Sequence, residues 1–226
     1  MPDGRQGRGA SIWARPQRGT RGPSPEYRLS DIAAAAIRLA DAGGLAAVSM
    51  RAVAAELGTT ASTLYRYVTS RDELLDLMVD TAMADFTFAP DPTADWLSEL
   101  VRVAGATREL FLRKPWLMDA RPATSAPGPN TLGWFEHCLR AMASLDRSPL
   151  SKMEAIGVLN GVTTLFARGA TTPTAYDFGA MDPVRHPTLL ATLRGAAAGA
   201  PAEDLLERTV RATLGGLLGD ATAHHR

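Results

Sequence analysis

At 226 residues the chain is long enough to bury a substantial core, as one larger or two small domains. A hydrophobic content of 46% with only 6% aromatic suits a helical protein, and the single cysteine, Cys138, excludes an internal disulfide and fits a reducing cytosol. The zero net charge argues against a nucleic-acid binder only on average, because residues 1–71 hold ten Arg against five acids and residues 72–226 hold fourteen Lys or Arg against nineteen.

A basic front and an acidic rear suit a protein that docks on phosphate with one end. Residues 1–27 are rich in Gly, Pro and Arg, with Ile12-Trp13 the only bulky apolar pair. Such a stretch buries too little surface to offset its ordering and is expected to be a mobile arm. It is either an inert tail or a basic arm whose Arg15, Arg18 and Arg21 lie along a duplex. No apolar stretch follows its arginines, so no secretory leader is expected, and no run of about 18 apolar residues predicts a membrane span.

Ser30-Asp31 predicts the opening of a helix to residue 42, with Ile32, Ala36, Leu39 and Ala40 inward and Gly43-Gly44 as its stop. Residues 49–71, SMRAVAAELGTTASTLYRYVTSR, then carry two short helical patterns with little more than Gly58 between them. Ser49 is a suitable N-cap, and Val53, Ala54 and Leu57 recur at helical spacing. Thr59 or Thr60 can cap the second helix, which turns Leu64 and Val68 inward. Ser62, Thr63, Tyr65, Arg66 and Tyr67 face outward, and hydroxyls, phenols and a guanidinium on one face can reach phosphates and base edges in a major groove.

The string LGTTASTLYRYVTSRDELL at 57–75 closely resembles the helix-turn-helix of the TetR family of bacterial transcriptional repressors. Thr63-Leu64-Tyr65-Arg66-Tyr67-Val68 and Arg71-Asp72-Glu73-Leu74 fill that family's pattern, and Ala61 stands where many members carry a lysine, which suggests an altered operator sequence. The resemblance implies an all-α fold with a three-helix DNA-binding head at 28–71 and an effector-binding and dimerisation domain at 72–226. It implies phosphate contacts from Ser49, Arg51, Arg71, Tyr65 and Tyr67, groove-edge contacts from Thr60, Ser62 and Thr63, and base reading by Arg66.

Behind the head, helices are expected over 72–88, 93–114, 130–145, 149–168 and 188–198, with one or two turns at 116–120 and irregular chain at 170–187. Pro201 at a first-turn position predicts a last helix to residue 218. FLRKPWL at 111–117, GPNTLGWFEHCLRAM at 128–142 and LLERTVRATLGGLLG at 205–219 resemble, more loosely, the C-terminal domain of the tetracycline-repressor branch. No histidine precedes His137, so that repressor's metal-chelating histidine is not carried over, and neither metal nor cofactor is expected.

Nucleophile-elbow, P-loop, dinucleotide and zinc-protease motifs are all missing, and the adjacent His137 and Cys138 point about 100° apart on a helix, so no enzyme is expected. Trp96, Trp116, Trp134 and Phe166, with His137, Asn160, Thr163 and Thr164, have the mixture of apolar walls and sparse polar groups of a small-molecule site, although the same aromatics would serve as core. Asn160, an amide in an apolar helix, needs a ligand, water or a second subunit as partner. Leu206, Val210, Leu214 and Leu217 form a stripe expected to close a homodimer. The expected protein is a cytoplasmic, homodimeric repressor that binds a palindromic operator and is released by a largely apolar effector. The rival readings are a constitutive DNA-binding regulator of the same fold and a small-molecule carrier that never touches DNA.

Overall fold

The computed structural model describes residues 12–14, 27–86, 89, 91, 93–120, 127–171, 178–179, 181–196 and 204–219, and every regular element among them is helical. The chain divides into two compact units, residues 1–90 with 109–143 and residues 91–108 with 144–226.

The first unit opens with a 3-10 turn, Ile12–Ala14, whose Ile12 is buried. Of the expected arm at 1–27 only this turn, with Trp13 half-buried, and Tyr27 are described, and the remainder of the arm lies outside the described residues. Helix α1 (Leu29–Gly43) starts one residue before the predicted Ser30: the Asp31 carboxylate accepts the Arg28 backbone N–H at 2.9 Å, so Asp31 rather than Ser30 secures the start. Ile32, Ala33, Ala35, Ala36 and Ala40 are buried, and a face this rich in alanine lets neighbouring helices approach closely. Gly44 follows with φ 66°, a conformation that a Cβ disfavours.

A 3-10 turn (Leu45–Ala47) leads to α2 (Met50–Glu56), α3 (Ala61–Leu64) and α4 (Arg71–Met83). Each of the three has a hydroxyl cap: Ser49 accepts from Ala52 N–H at 3.1 Å, Thr60 from Thr63 N–H at 3.3 Å and Ser70 from Glu73 N–H at 3.1 Å. Glu73 reaches back to the Thr69 N–H at 2.7 Å and hydroxyl at 2.9 Å, which fixes the α3–α4 junction. Helix α4 stops at Met83 rather than at 88, because the Ala84 and Asp85 N–H groups turn to the carbonyls of Thr81 and Ala82. Leu74, Leu75, Leu77, Met78 and Ala82 are buried, and so is Asp80.

Helix α5 (Trp96–Arg113) begins after an Asp91–Thr93 turn, later than expected, because Asp95 caps it through the N–H groups of Leu97 (2.9 Å) and Ser98 (3.0 Å). In the first unit a 3-10 turn (Pro115–Met118) follows, where Lys114 pairs with Asp41 at 3.3 Å and the Trp116 indole donates to Asp41 at 2.6 Å. Helix α6 (Pro129–Ala141) ends short of 145, and its buried Trp134, Cys138 and the following Met142 complete this unit's core.

In the second unit α7 (Pro149–Thr171) outruns its expected end, its last turn held where the Thr171 hydroxyl donates to the Arg168 carbonyl at 3.0 Å. Helix α8 (Pro187–Ala196) has proline at its first position. Helix α9 (Leu205–Leu218) is capped by Asp204, which accepts the Leu206 N–H at 2.9 Å. Pro201 is therefore not in its first turn and lies outside the described residues. Helices α7 and α9 pack through Ala155, Ile156, Leu159, Thr163 and Ala167 against Leu206, Val210, Leu214 and Leu218. The α9 carbonyl end is closed by Arg147, which donates to Leu218 at 3.1 Å and to Gly219 at 2.7 Å.

Candidate nucleic-acid interface and adjoining cleft

The turn between α2 and α3 is built on Gly58, whose φ of 67° suits glycine; a Cβ there would meet no atom, so conformation and not space demands it. Leu64 and Val68 are fully buried beneath the next segment. The α-helix proper lasts only through Leu64. Beyond it, Arg66 and Tyr67 N–H groups bond three residues back while Val68 bonds four back, so the expected reading helix closes with a tightened turn.

On the outer side, the Thr60 hydroxyl lies 2.9 Å from that of Ser62 and 3.0 Å from that of Thr63, a cluster of rotatable donors. Tyr65 and Arg66 are exposed. Tyr67 is half-buried, braced edge-to-face by Tyr27 at 6.4 Å, whose hydroxyl donates to the Leu57 carbonyl at 3.3 Å. Tyr27, which ends the expected arm, is thus part of the head. Ser49 and Arg51 are exposed at the start of α2, Ser49 with its hydroxyl acting as cap. Arg71 is exposed and donates to the Leu45 carbonyl at 3.2 Å, leaving the rest of its guanidinium fork outward. Guanidinium, phenol and hydroxyl groups are therefore exposed on these elements, the kinds of group that make phosphate and base-edge contacts.

The same unit holds a cleft of about 260 Å³ lined by Met83, Ala84 and Phe86 beyond α4 and by Pro129, Asn130, Gly133, Trp134 and His137 of α6. Trp134 stacks edge-on against Phe135 at 5.2 Å. Of the residues expected around an effector, Trp134 and His137 meet here. Trp116 lies elsewhere in this unit, buried and bonded to Asp41. Trp96, Asn160, Thr163, Thr164 and Phe166 belong to the second unit. There the Thr163 and Thr164 hydroxyls each bond their own helix at 2.8 Å, and Asn160 faces outward rather than into a core. The expected stripe on α9 needs correction: Leu206, Val210 and Leu214 are sealed within their own chain, and only Leu217 is exposed. An amphipathic helix facing its own α7 carries the same spacing as one facing a second subunit.

Sequence reasoning missed Asp80. It is 2% exposed and accepts the Thr131 backbone N–H at 2.9 Å and the Asn130 amide at 3.1 Å, so it caps α6 from another helix. The available signal was Gly128-Pro129 at the start of α6, which offers no side-chain cap of its own. Next along α6, burial pushes the Cys138 thiol up to about 12, which keeps it protonated and unreactive. Among the described residues no group of three or more His, Cys, Asp or Glu could hold a metal ion, and no helix is long and apolar enough to cross a membrane.

A capped helix pair turning on glycine has the form of a helix-turn-helix. Residues 32–78 match the family described as bacterial regulatory proteins, tetR family. The HTH-type transcriptional repressor Rv1353c of Mycobacterium tuberculosis is 30% identical over 213 residues, 85% of this chain and 78% of that protein. The HTH-type transcriptional repressor DrrR1 of Streptomyces coeruleorubidus is 35% identical over 158 residues, a match spanning 70% of this chain and 58% of DrrR1's length. Apo ActR of Streptomyces coelicolor, at 24% identity, shares the fold with a TM-score of 0.72 over 85% of this chain and 96% of its own, and ActR has also been solved in complex with actinorhodin. The chain belongs to the tetR family of bacterial regulatory proteins.

Proposed function

We propose that this regulator is a cytoplasmic repressor that binds a palindromic operator as a homodimer and leaves it when a small molecule binds. The observation that carries the reading is the segment from Thr60 to Val68, where Leu64 and Val68 are fully buried and Arg66, Tyr65 and the hydroxyl cluster face out. In this reading Arg66 reads base edges, while Ser49, Arg51, Thr60, Ser62, Thr63, Tyr65, Tyr67 and Arg71 hold the backbone or the groove edge.

The effector site is the cleft beyond α4. Phe86 and Trp134 are its apolar walls, and Asn130 and His137 supply hydrogen bonds, which suits a planar, largely apolar molecule with a polar edge. Occupied relatives of the fold, such as ActR with actinorhodin, make a small-molecule effector the natural class. The self-association face is the outer side of α7. Leu150, Met153 and Leu165 are exposed there, Asn160 lies between them, and a Cβ at Gly157 or Gly161 would meet nothing, which leaves room for a second helix.

Selection of duplexes from a random pool by the full chain tests the reading. It should enrich an inverted repeat whose half-sites lie about one helical turn, roughly 34–36 Å, apart. Enrichment of unpaired half-sites, or no enrichment, would contradict a dimer on a palindrome.

A further inference from the structure

The first turn of α6 has a need that its own sequence leaves unmet. Gly128 has no side chain to cap it and Pro129 has no N–H, so the orphan donors begin with Asn130 and Thr131. Asp80 of α4 answers for the Thr131 N–H and holds Asn130 through its side-chain amide. One carboxylate oxygen accepts the Thr131 N–H at 2.9 Å, the other accepts the Asn130 amide at 3.1 Å, and the Asp80 carbonyl takes the same amide at 3.0 Å. A buried carboxylate held this way is firm when complete and costly when half-broken, so the clasp tends to be either closed or open.

The N-terminal turn completes it. A Cβ on Gly128 would collide with the Asp80 carboxylate and with the Trp13 ring, which places the indole and the clasp on one glycine. Ile12, beside it, is 6% exposed and anchors the turn. Asn130 also lines the cleft, so one residue belongs to both the clasp and the cleft. Helix α4 follows directly on the outward-facing segment at Ser70, and Asp80 lies nine residues beyond Arg71 on it, about 14 Å along the axis.

We infer that the Ile12–Ala14 turn is a regulatory strap: Trp13 closes over the Asp80–Asn130–Thr131 clasp and thereby sets how firmly α4, and with it the DNA-reading segment, is held. The inference rests on the proposed reading of the head as the DNA-binding face and of the cleft as the effector site. A ligand that draws the Asn130 amide into the cleft takes it from Asp80, and the strap opposes that exchange.

Hydrogen exchange and duplex binding test the strap with full-length Trp13→Ala, Trp13→Phe and Asp80→Ala, without any effector. In Trp13→Ala the amides of Thr131 to Gly133 should exchange about tenfold faster than in the parent, approaching Asp80→Ala, while those of α2 stay as they were. Its affinity for a duplex selected by the parent should fall about fivefold, and Trp13→Phe, which keeps an aromatic ring over Gly128, should recover most of both effects. Unchanged exchange would overturn the strap. Faster exchange with unaltered duplex affinity would overturn its regulatory role. Failure of the effector reading shows separately, as no protection of Asn130 to His137 in the parent by any compound of an aromatic library.

Discussion

The outward face of the head and the clasp between α4 and α6 are both held by hydrogen-bond caps, but the caps work over different distances. Ser49, Thr60 and Ser70 each bond an amide three residues away, so the head is set by local choices of residue. Asp80 reaches Asn130 and Thr131 across fifty residues of chain, and Asp41 reaches Trp116 across seventy-five. A locally specified element can keep its form while it docks on DNA. A clasp made only by tertiary packing can open without unfolding either helix, which is the property a switch needs.

If that contrast is sound, the largest loss of stability belongs to the core under the head. Leu64→Ala removes a fully buried side chain and should cost about 2–5 kcal/mol in urea unfolding, whereas Tyr65→Phe, at an exposed position, should leave the midpoint unmoved. Equal losses would remove the distinction between inner and outer faces.

Asp80→Ala should cost about 1–3 kcal/mol through the donors it orphans. In a double-mutant cycle with Asn130→Ala the coupling should reach about 0.5–3 kcal/mol. Additive losses would mean that the two residues do not act as a unit.

Cys138 sharpens the comparison from inside α6. Its thiol is held above its ordinary 9.0 by burial, so the folded state binds the proton more tightly than the unfolded chain does. Its contribution to stability is therefore full below pH 9.0 and is lost as pH rises toward about 12. Cys138→Ala should flatten that alkaline decline, and an identical decline in the variant would assign it to other groups.

The smallest effect concerns the arginines before the head. Changing Arg5, Arg8, Arg15, Arg18 and Arg21 to Ala, with Trp13 left in place, should lower the log–log salt slope of duplex binding by up to about 0.9 for each phosphate that is no longer neutralised. An unchanged slope would make them bystanders.

The same contrast explains what was legible in the sequence. Caps at Ser49 and Thr60, the glycine turn at Gly58 and the inward Leu64 and Val68 are read from neighbours in the chain, and the all-helical fold follows from periodicity. Helix ends were less legible, since Asp204 and Asp95 set the starts of α9 and α5 against the stronger-looking Pro201 and Thr93. The clasp was legible only from one side, since Gly128-Pro129 leaves α6 without a cap of its own but does not say what supplies it. Nothing near Asp80 distinguishes a carboxylate that caps a distant helix from one that meets solvent. The Leu206, Val210 and Leu214 stripe failed differently, because periodicity shows that a face is buried but not by what.

Arg66 and Tyr65 are the residues to compare most directly, by titrating the selected duplex and a random one with each variant. Arg66→Ala should lose about 1–3 kcal/mol on the selected duplex and little on the random one, while Tyr65→Phe should weaken both alike. If Arg66→Ala loses the same affinity on both duplexes, the outward face of this segment does not read sequence, and the proposed mode of DNA recognition is wrong.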